Sequence, residues 1–115
     1  AVWKSGDSLY MHPDETQILL EWVAPRNGSV DITGTVRKFA AEGGDGVTVS
    51  IWKNGFMLWP ETGQWKPIAY NDTVGCEASV ATDVSAGDIL SFRVDKNGDT
   101  AYDTTEWTPV VQYRN

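Results

Sequence analysis

Apolar and polar side chains alternate with a period of two along most of this chain. In residues 47–52 three aliphatic side chains alternate with Thr, Ser and Trp, and residues 89–94 repeat the pattern. This period is typical of strands that bury one face and expose the other. Gly, Asn, Asp and Pro separate such runs at short intervals, and helical periodicity is absent. The pattern predicts strands near residues 8–12, 17–23, 29–37, 47–53, 56–59, 67–70, 75–81, 88–94 and 105–113.

These strands predict an all-β fold. Clean alternation suits antiparallel sheets with one packed and one wet face, so we expect a jelly-roll-like sandwich of two antiparallel sheets. A length of 115 residues suits one hydrophobic core, which predicts a single domain over residues 1–115. Trp22 and Trp107 fit structural positions in their strands, whereas the pattern leaves the place of Trp3 open.

Two further tryptophans, Trp52 and Trp59, fall on opposite arms of one predicted hairpin. The intervening Asn54-Gly55 is the strongest short hairpin signal, because both residues tolerate the positive φ angles of a type I′ turn. A two-residue turn at this point fixes which residues face each other. The predicted pairs are Lys53 with Phe56, Trp52 with Met57, Ile51 with Leu58 and Ser50 with Trp59.

In this register both indoles point away from the core. Ile51, Phe56 and Leu58 point inward, so Trp52 and Trp59 share the outer face as diagonal neighbours about 7–8 Å apart. Large indole faces left in water form an unusual apolar patch, and flat apolar platforms hold sugar rings. The hairpin therefore predicts a platform for adjacent rings of a glycan. The other possibility is that a loop or a second module covers the indoles.

Other side chains could complete such a site. Trp65 follows the hairpin in a loop and either walls a cleft or folds inward against a proline, while Gln64 and Lys66 could bond sugar hydroxyls. Arg37 and Arg93 fall on the outward sides of their strands. Each could reach the same surface, or could belong to a solvated face paired with a carboxylate.

The charge balance narrows the partners. Sixteen Asp and Glu against nine Lys and Arg give a net charge of −7, which argues against nucleic acid. No apolar stretch is long enough to span a membrane, and no signal peptide is evident. Cys76 is alone, so we expect no internal disulfide and a buried, inert thiol. We expect a monomer.

One acidic loop is a candidate for a structural calcium ion. Asp95, Asn97, Asp99 and Asp103 bring oxygen-bearing side chains close together, as calcium loops do. The EF-hand pattern is not met, however, and a turn centred on residues 97 and 98 explains the same residues without metal. Glu42 and Asp45 form a second acidic loop with the same ambiguity. The sequence establishes no cofactor with certainty.

The sequence does not favour catalysis. Glycoside hydrolysis needs two carboxyl groups at one bond, and the acidic residues here cluster in glycine-rich turns that we expect to be wet. His12 is the only histidine, which leaves little material for a Ser-His-Asp arrangement. We therefore predict that the chain is not an enzyme.

Several segments together resemble the β-sandwich accessory modules of bacterial extracellular glycan-degrading enzymes. The resemblance spans most of the chain and mostly marks turns and core positions. It implies a secreted, non-catalytic carbohydrate-binding module linked to a glycoside hydrolase. The segments are residues 12–14, 22–25, 28–34, 43–47, 86–95 and 103–109.

Two functions from different classes follow. The first is a module that binds plant cell-wall polysaccharide, of the β-glucan, xyloglucan, xylan or mannan type, on exposed tryptophans and holds a linked catalytic module near its substrate. The second is a structural or protein-interaction sandwich that packs its tryptophan face on a neighbouring domain.

Overall fold

The computed structural model describes residues 2–13, 17–39, 43–97 and 104–114. Within these ranges all regular structure is β-strand, which confirms the predicted all-β fold. Nowhere in them is there a helix of the length and apolar character that crossing a membrane requires. The strands are β1 (Val2–Ser5), β2 (Ser8–Met11), β3 (Ile18–Val23), β4 (Gly28–Thr33), β5 (Thr35–Lys38), β6 (Val47–Lys53), β7 (Phe56–Trp59), β8 (Lys66–Ile68), β9 (Cys76–Glu77), β10 (Val80–Val84), β11 (Ile89–Lys96), β12 (Thr105–Trp107) and β13 (Val110–Tyr113).

The strands form two layers, as predicted. Layer one contains two hydrogen-bonded sheets, β1-β2-β12-β5-β9 and β10-β4-β13, which continue each other because β4 runs on into β5, β9 into β10 and β12 into β13. Layer two is the sheet β3-β11-β6-β7, with β8 also paired to β6. All the strand pairs are antiparallel.

Layer one bends where the sequence predicts three unbroken strands. The strand predicted over residues 29–37 divides at Gly34, whose carbonyl accepts a hydrogen bond from the Ala78 amide at 2.8 Å. A Cβ on Gly34 would lie 3.0 Å from the Thr108 carbonyl oxygen and 3.1 Å from Pro109 Cα, so the bend brings these backbones into close approach. The strands predicted over residues 75–81 and 105–113 divide at the same line.

The core lies between the layers and follows the predicted alternation. Trp107 is fully buried there and contacts Phe92 edge to face, with ring centroids 5.6 Å apart. Trp22 packs against the core and against Tyr113, at 6.1 Å between ring centroids, so both predicted structural tryptophans are confirmed. The fully enclosed apolar side chains include Met11, Val30, Ile32, Val36, Val47, Val49, Ile51, Ile68, Leu90, Phe92 and Val94.

Substitution of Gly46 should test the close approach of β6 and β8. Gly46 and Gly87 have similar φ angles, +83° and +93°, so alanine is strained by about 1–2 kcal/mol at either position. Only at Gly46 would the new Cβ meet backbone, 2.2 Å from the Ile68 carbonyl oxygen. We therefore expect Gly46→Ala to lower the free energy of unfolding by about 1–3 kcal/mol more than Gly87→Ala. Urea denaturation measures both losses, and equal losses would contradict this packing.

Candidate functional site

The β6–β7 hairpin contains a bulge that the sequence does not predict. Beyond the turn, Lys53 pairs with Phe56 and Trp52 with Met57 as expected, but Ile51 pairs with Trp59 instead of Leu58. Leu58 is thus an extra residue on β7, and the residues after it exchange faces.

The bulge turns Trp59 inward. Its ring packs against the core and lies 6.4 Å from the Trp107 ring, centroid to centroid. The prediction that Trp52 and Trp59 share the outer face is therefore wrong, because a shift of one residue reverses the side-chain direction. The two indoles lie on opposite faces of layer two.

The turn itself also departs from its prediction. The positive φ angle is at Asn54, at 54°, and not at Gly55, so the turn is not type I′. Asn54 also ties the turn to β11, because its side-chain oxygen accepts a hydrogen bond from the Ile89 amide at 3.0 Å. Phe56, predicted to point inward, is 76% exposed. Opposite it, Lys53 reaches layer one and donates to the Asp83 carbonyl at 2.9 Å, so an exposed polar contact joins the two layers at this end of the sandwich.

Trp52 lies on the outer face of layer two and is engaged within the chain. Its Nε1 donates to Ser50 Oγ at 2.8 Å, and the Arg93 guanidinium lies over its ring at 4.5 Å from the centroid. Arg93 Nε is buried and has no hydrogen-bond partner among the described residues. Arg93 thus meets the Trp52 surface as predicted, and its cation–π contact covers the indole.

The loop between β7 and β8 forms a cavity at the edge of the sandwich. β7 and β8 both pair with β6, so residues 60–65 leave and rejoin the same edge. We call this space the edge cavity. Its volume is about 340 Å³, and it is lined by Trp59, Pro60, Thr62, Gln64, Trp65, Lys66, Pro67 and Cys76.

Local contacts shape this loop. The Trp59–Pro60 peptide bond is cis, and the Pro60 carbonyl accepts a hydrogen bond from the Gly63 amide at 3.2 Å. Thr62 Oγ1 accepts another from the Gln64 amide at 3.3 Å. The chain then returns to β6, so that Trp59 and Trp65 line the same cavity, and both indoles are half-buried. Of the two alternatives for Trp65, the structure has the one in which it walls a cleft.

The edge cavity combines four of the predicted ligand-binding residues. Trp59 and Trp65 supply apolar surface, Gln64 supplies an amide, and Lys66 supplies a cation. Its described lining contains no carboxylate. An apolar wall with a few polar groups is the arrangement by which proteins orient small polar ligands.

Cys76 lines the edge cavity from layer one. It belongs to β9, pairs with Val36 and is half-buried, whereas the sequence predicts a buried thiol. β9 is the edge strand of its sheet, so the neighbour that would cover Cys76 is missing on one side. The cavity therefore lies where the edges of the two layers meet.

Arg37 does not line the edge cavity and lies on the outer face of layer one. Its Nε donates to Glu106 Oε1 at 2.6 Å on the neighbouring strand β12. The hydrogen bond from Arg37, and then one from Ser8, hold the pKa of the Glu106 carboxyl below its ordinary value. Arg37 therefore does not meet the hairpin tryptophans, because it belongs to the other layer.

The structure describes only part of the predicted calcium loop. Asp99 and Asp103 lie outside the described residues, as does Glu42 of the second acidic loop. Asn97 Nδ2 donates to the Asp45 carbonyl at 3.0 Å, so these two described residues, one from each acidic segment, are neighbours. Within the described ranges no three His, Cys, Asp or Glu side chains cluster as metal ligands would.

Layer one carries a row of aromatic side chains that the sequence analysis does not predict. Trp3 and Tyr10 are paired across β1 and β2 with nearly parallel rings 5.8 Å apart, and Tyr10 contacts Phe39 edge to face at 4.9 Å. Alternation in the short segments could have placed Trp3 and Tyr10 outward. The row is completed by the pairing of β2 with β12 and of β12 with β5. Glu106 lies 96 positions from Tyr10 and 69 from Arg37, so these pairings leave no local signal.

Comparison with solved structures shows that this β-sandwich fold is similar to one already solved. The chain is similar to the CBM51 carbohydrate-binding module from Clostridium perfringens GH95, solved in complex with methyl-galactose, at 11% sequence identity and a TM-score of 0.55. The match covers 87% of this chain and 65% of that chain, so this chain spans less than two thirds of that module's length. At this identity the likeness shows the fold. No protein-family model and no curated protein sequence matches the chain.

The two indoles of the edge cavity should contribute differently to the free energy of unfolding. Trp59 packs on Trp107 as well as lining the cavity, so Trp59→Ala should lower the free energy of unfolding by about 2–3 kcal/mol. Trp65 is on the loop, and Trp65→Ala should cost less than about 1 kcal/mol. Urea denaturation followed by fluorescence compares them. A larger loss at Trp65 would contradict the inward placement of Trp59.

Acid should remove the contribution of the Arg37–Glu106 pair. The pKa of Glu106 is lowered in the folded state, so the pair stabilises the protein above the ordinary carboxyl pKa and loses its effect as the pH falls through the folded-state value. Glu106→Gln should therefore be less stable than the wild type at neutral pH, with the difference shrinking as the pH falls below the ordinary carboxyl range.

Urea midpoints across this pH range check that convergence. Glu21→Gln is the matched control, because Glu21 is an exposed carboxylate with no ion-pair partner among the described residues. Its midpoints should follow the wild type throughout. A constant gap between Glu106→Gln and the wild type would show that the ion pair is not the cause.

Proposed function

We propose that this chain is a non-catalytic glycan-binding module whose ligand site is the edge cavity. The observation that carries the proposal is the half-buried indole pair of Trp59 and Trp65 beside Gln64 and Lys66. The apolar C–H faces of a sugar ring stack on an indole, and its hydroxyl groups accept and donate hydrogen bonds at the rim.

The size of the cavity suits a short part of a glycan. Small-molecule sites typically measure about 300–1,000 Å³, and the edge cavity is near the lower limit at about 340 Å³. A long chain laid flat across two neighbouring indoles is not supported, because Trp52 and Trp59 point to opposite sides. We therefore favour a terminal sugar, or a single branch unit of a polysaccharide.

The resemblance of the sequence to accessory modules of glycan-degrading enzymes supports a polysaccharide as the ligand. Plant cell-wall glucans, xyloglucans, xylans and mannans are the first candidates, and the methyl-galactose bound by the CBM51 module adds galactosides to them. In this role the protein is secreted and joined to a glycoside hydrolase, whose local concentration at the polymer it raises. The lack of a carboxylate in the described cavity lining supports binding rather than hydrolysis.

A second candidate function is a protein-interaction module. Leu19 and Val23 are 38% and 57% exposed on β3 and lie on the same outer face of layer two as Trp52. A neighbouring domain could cover this face. In that case the fluorescence of the isolated chain should respond to the adjoining module and not to oligosaccharides.

Isothermal titration with β-glucan, xyloglucan, xylan, mannan and galactosides tests the first function. We expect at least one ligand to bind the wild type, and Trp65→Ala to weaken that binding about tenfold or more, since stacking on one ring is lost. Trp65 is the better choice than Trp59, whose removal also disturbs the core.

Phe56→Ala is the matched control, because it removes an exposed aromatic ring outside the edge cavity and should bind as the wild type does. Absence of binding by the wild type to every ligand would contradict the proposal. Loss of binding in Trp52→Ala, with Trp65→Ala unaffected, would move the site to the outer face of layer two.

A further inference from the structure

A row of side chains crosses the outer face of layer one. Trp3, Tyr10, Glu106 and Arg37 are consecutive cross-strand partners on β1, β2, β12 and β5. Three spacings between neighbouring strands make this row about 14 Å long. Phe39 follows β5 and contacts Tyr10, so the aromatic end of the row contains three rings.

The aromatic end is open to solvent. Trp3 is 42% exposed and Phe39 60% exposed, and the half-buried Tyr10 lies between them. The three rings are held by one another and by strand pairing, so presenting them to a ligand costs little side-chain ordering. Adjacent exposed aromatic rings form an apolar patch of the kind found at binding regions.

The polar end consists of two cavities that meet at the Arg37–Glu106 pair. One, of about 450 Å³, is lined by Asp7, Ser8, Thr35, Arg37, Val74, Glu106 and Thr108. The other, of about 300 Å³, is lined by Tyr10, Arg37, Lys38, Phe39, Thr73 and Glu106. Both are lined by Arg37 and Glu106, so the ion pair lies between them, and we call the two cavities together with Trp3 the outer-face groove.

The groups in the groove identify the chemistry of its occupant. Arg37 is 47% exposed in its side chain and offers N–H donors, Glu106 offers carboxylate oxygens, and Ser8 offers a hydroxyl group. Arg37 and Glu106 neutralise each other at the centre of the groove. Alternating donors and acceptors beside aromatic faces match a neutral polymer of hydroxyl-bearing rings, whereas a polyanion would need a basic surface.

The net charge disfavours a second copy of this chain as the occupant of the groove. A second copy of this chain would bring another charge of −7 against the first, and like charges repel. A neutral glycan meets no such repulsion.

We propose that the outer-face groove is a second glycan-binding site, which holds an oligosaccharide segment by stacking on Trp3, Tyr10 and Phe39 and by hydrogen bonds to Arg37 and Glu106. The aromatic rings and polar groups of the groove indicate the ligand class, and the identity of the polymer rests on the proposed function. The edge cavity and the groove use different residues. One module therefore attaches to a polymer at two points, which strengthens its hold without further contacts.

NMR titration of the whole chain with oligosaccharides from the polysaccharides that bind distinguishes the two sites. The indole N–H signals of Trp3 and Trp65 report the groove and the edge cavity separately. Both should shift in the wild type. In Phe39→Ala and Arg37→Ala, the affinity obtained from the Trp3 signal should fall about tenfold, and the affinity obtained from the Trp65 signal should stay unchanged. In Trp65→Ala, the Trp3 signal should still shift as in the wild type.

Phe56→Ala should leave both responses unchanged, and thermal unfolding of each variant excludes a general loss of structure. A Trp3 signal that never shifts, with Trp65 responding, overturns the second site and leaves the edge-cavity proposal standing. A Trp3 response without a Trp65 response supports the groove and overturns the edge cavity. Silence of both signals overturns both proposals. If Phe39→Ala instead abolishes a self-association seen by sedimentation of the wild type, a second copy is the occupant and the groove proposal is wrong.

Discussion

The packing of Trp107 between the two layers is the constraint on which the rest of this structure depends. Its ring is fully enclosed, meets Phe92 edge to face and lies 6.4 Å from Trp59, centroid to centroid. Enclosed aromatic rings contribute a large share of the apolar area that a small sandwich can bury. Since Trp59 belongs both to this cluster and to the edge cavity, the core holds one wall of the proposed site in a fixed orientation.

Local alternation was enough to predict most of the core. Val47, Val49 and Ile51 are enclosed as their period-two pattern requires, and the same holds for the inward residues of β11. Such positions are predictable because side-chain direction in a strand depends only on parity as long as the register is unbroken. The roles of Trp22 and Trp107 followed from the same reasoning.

The proposed site could be predicted only in part, because parity fails at a bulge. One additional residue, Leu58, reverses Trp59 and separates it from Trp52, and nothing in the adjacent sequence marks the insertion. Trp65, Gln64 and Lys66 were identified by residue type, but their convergence depends on a loop whose path is set by contacts with Pro60 and Thr62. The aromatic row that contains Trp3 could not be predicted, because the order of the strands that form it depends on long-range pairing.

Residues 60–65 leave and rejoin the same edge of β6. This geometry allows the sequence and length of the segment to vary. Their anchor points, Trp59 and Lys66, pair with Ile51 and Val49, two positions apart on β6, so the span to be bridged is about 7 Å whatever lies between. Doubling the length of such a bridge costs only about 0.6 kcal/mol in closure entropy. Selection, or a combinatorial library, can therefore exchange this segment of the proposed site as a cassette while the scaffold is inherited intact.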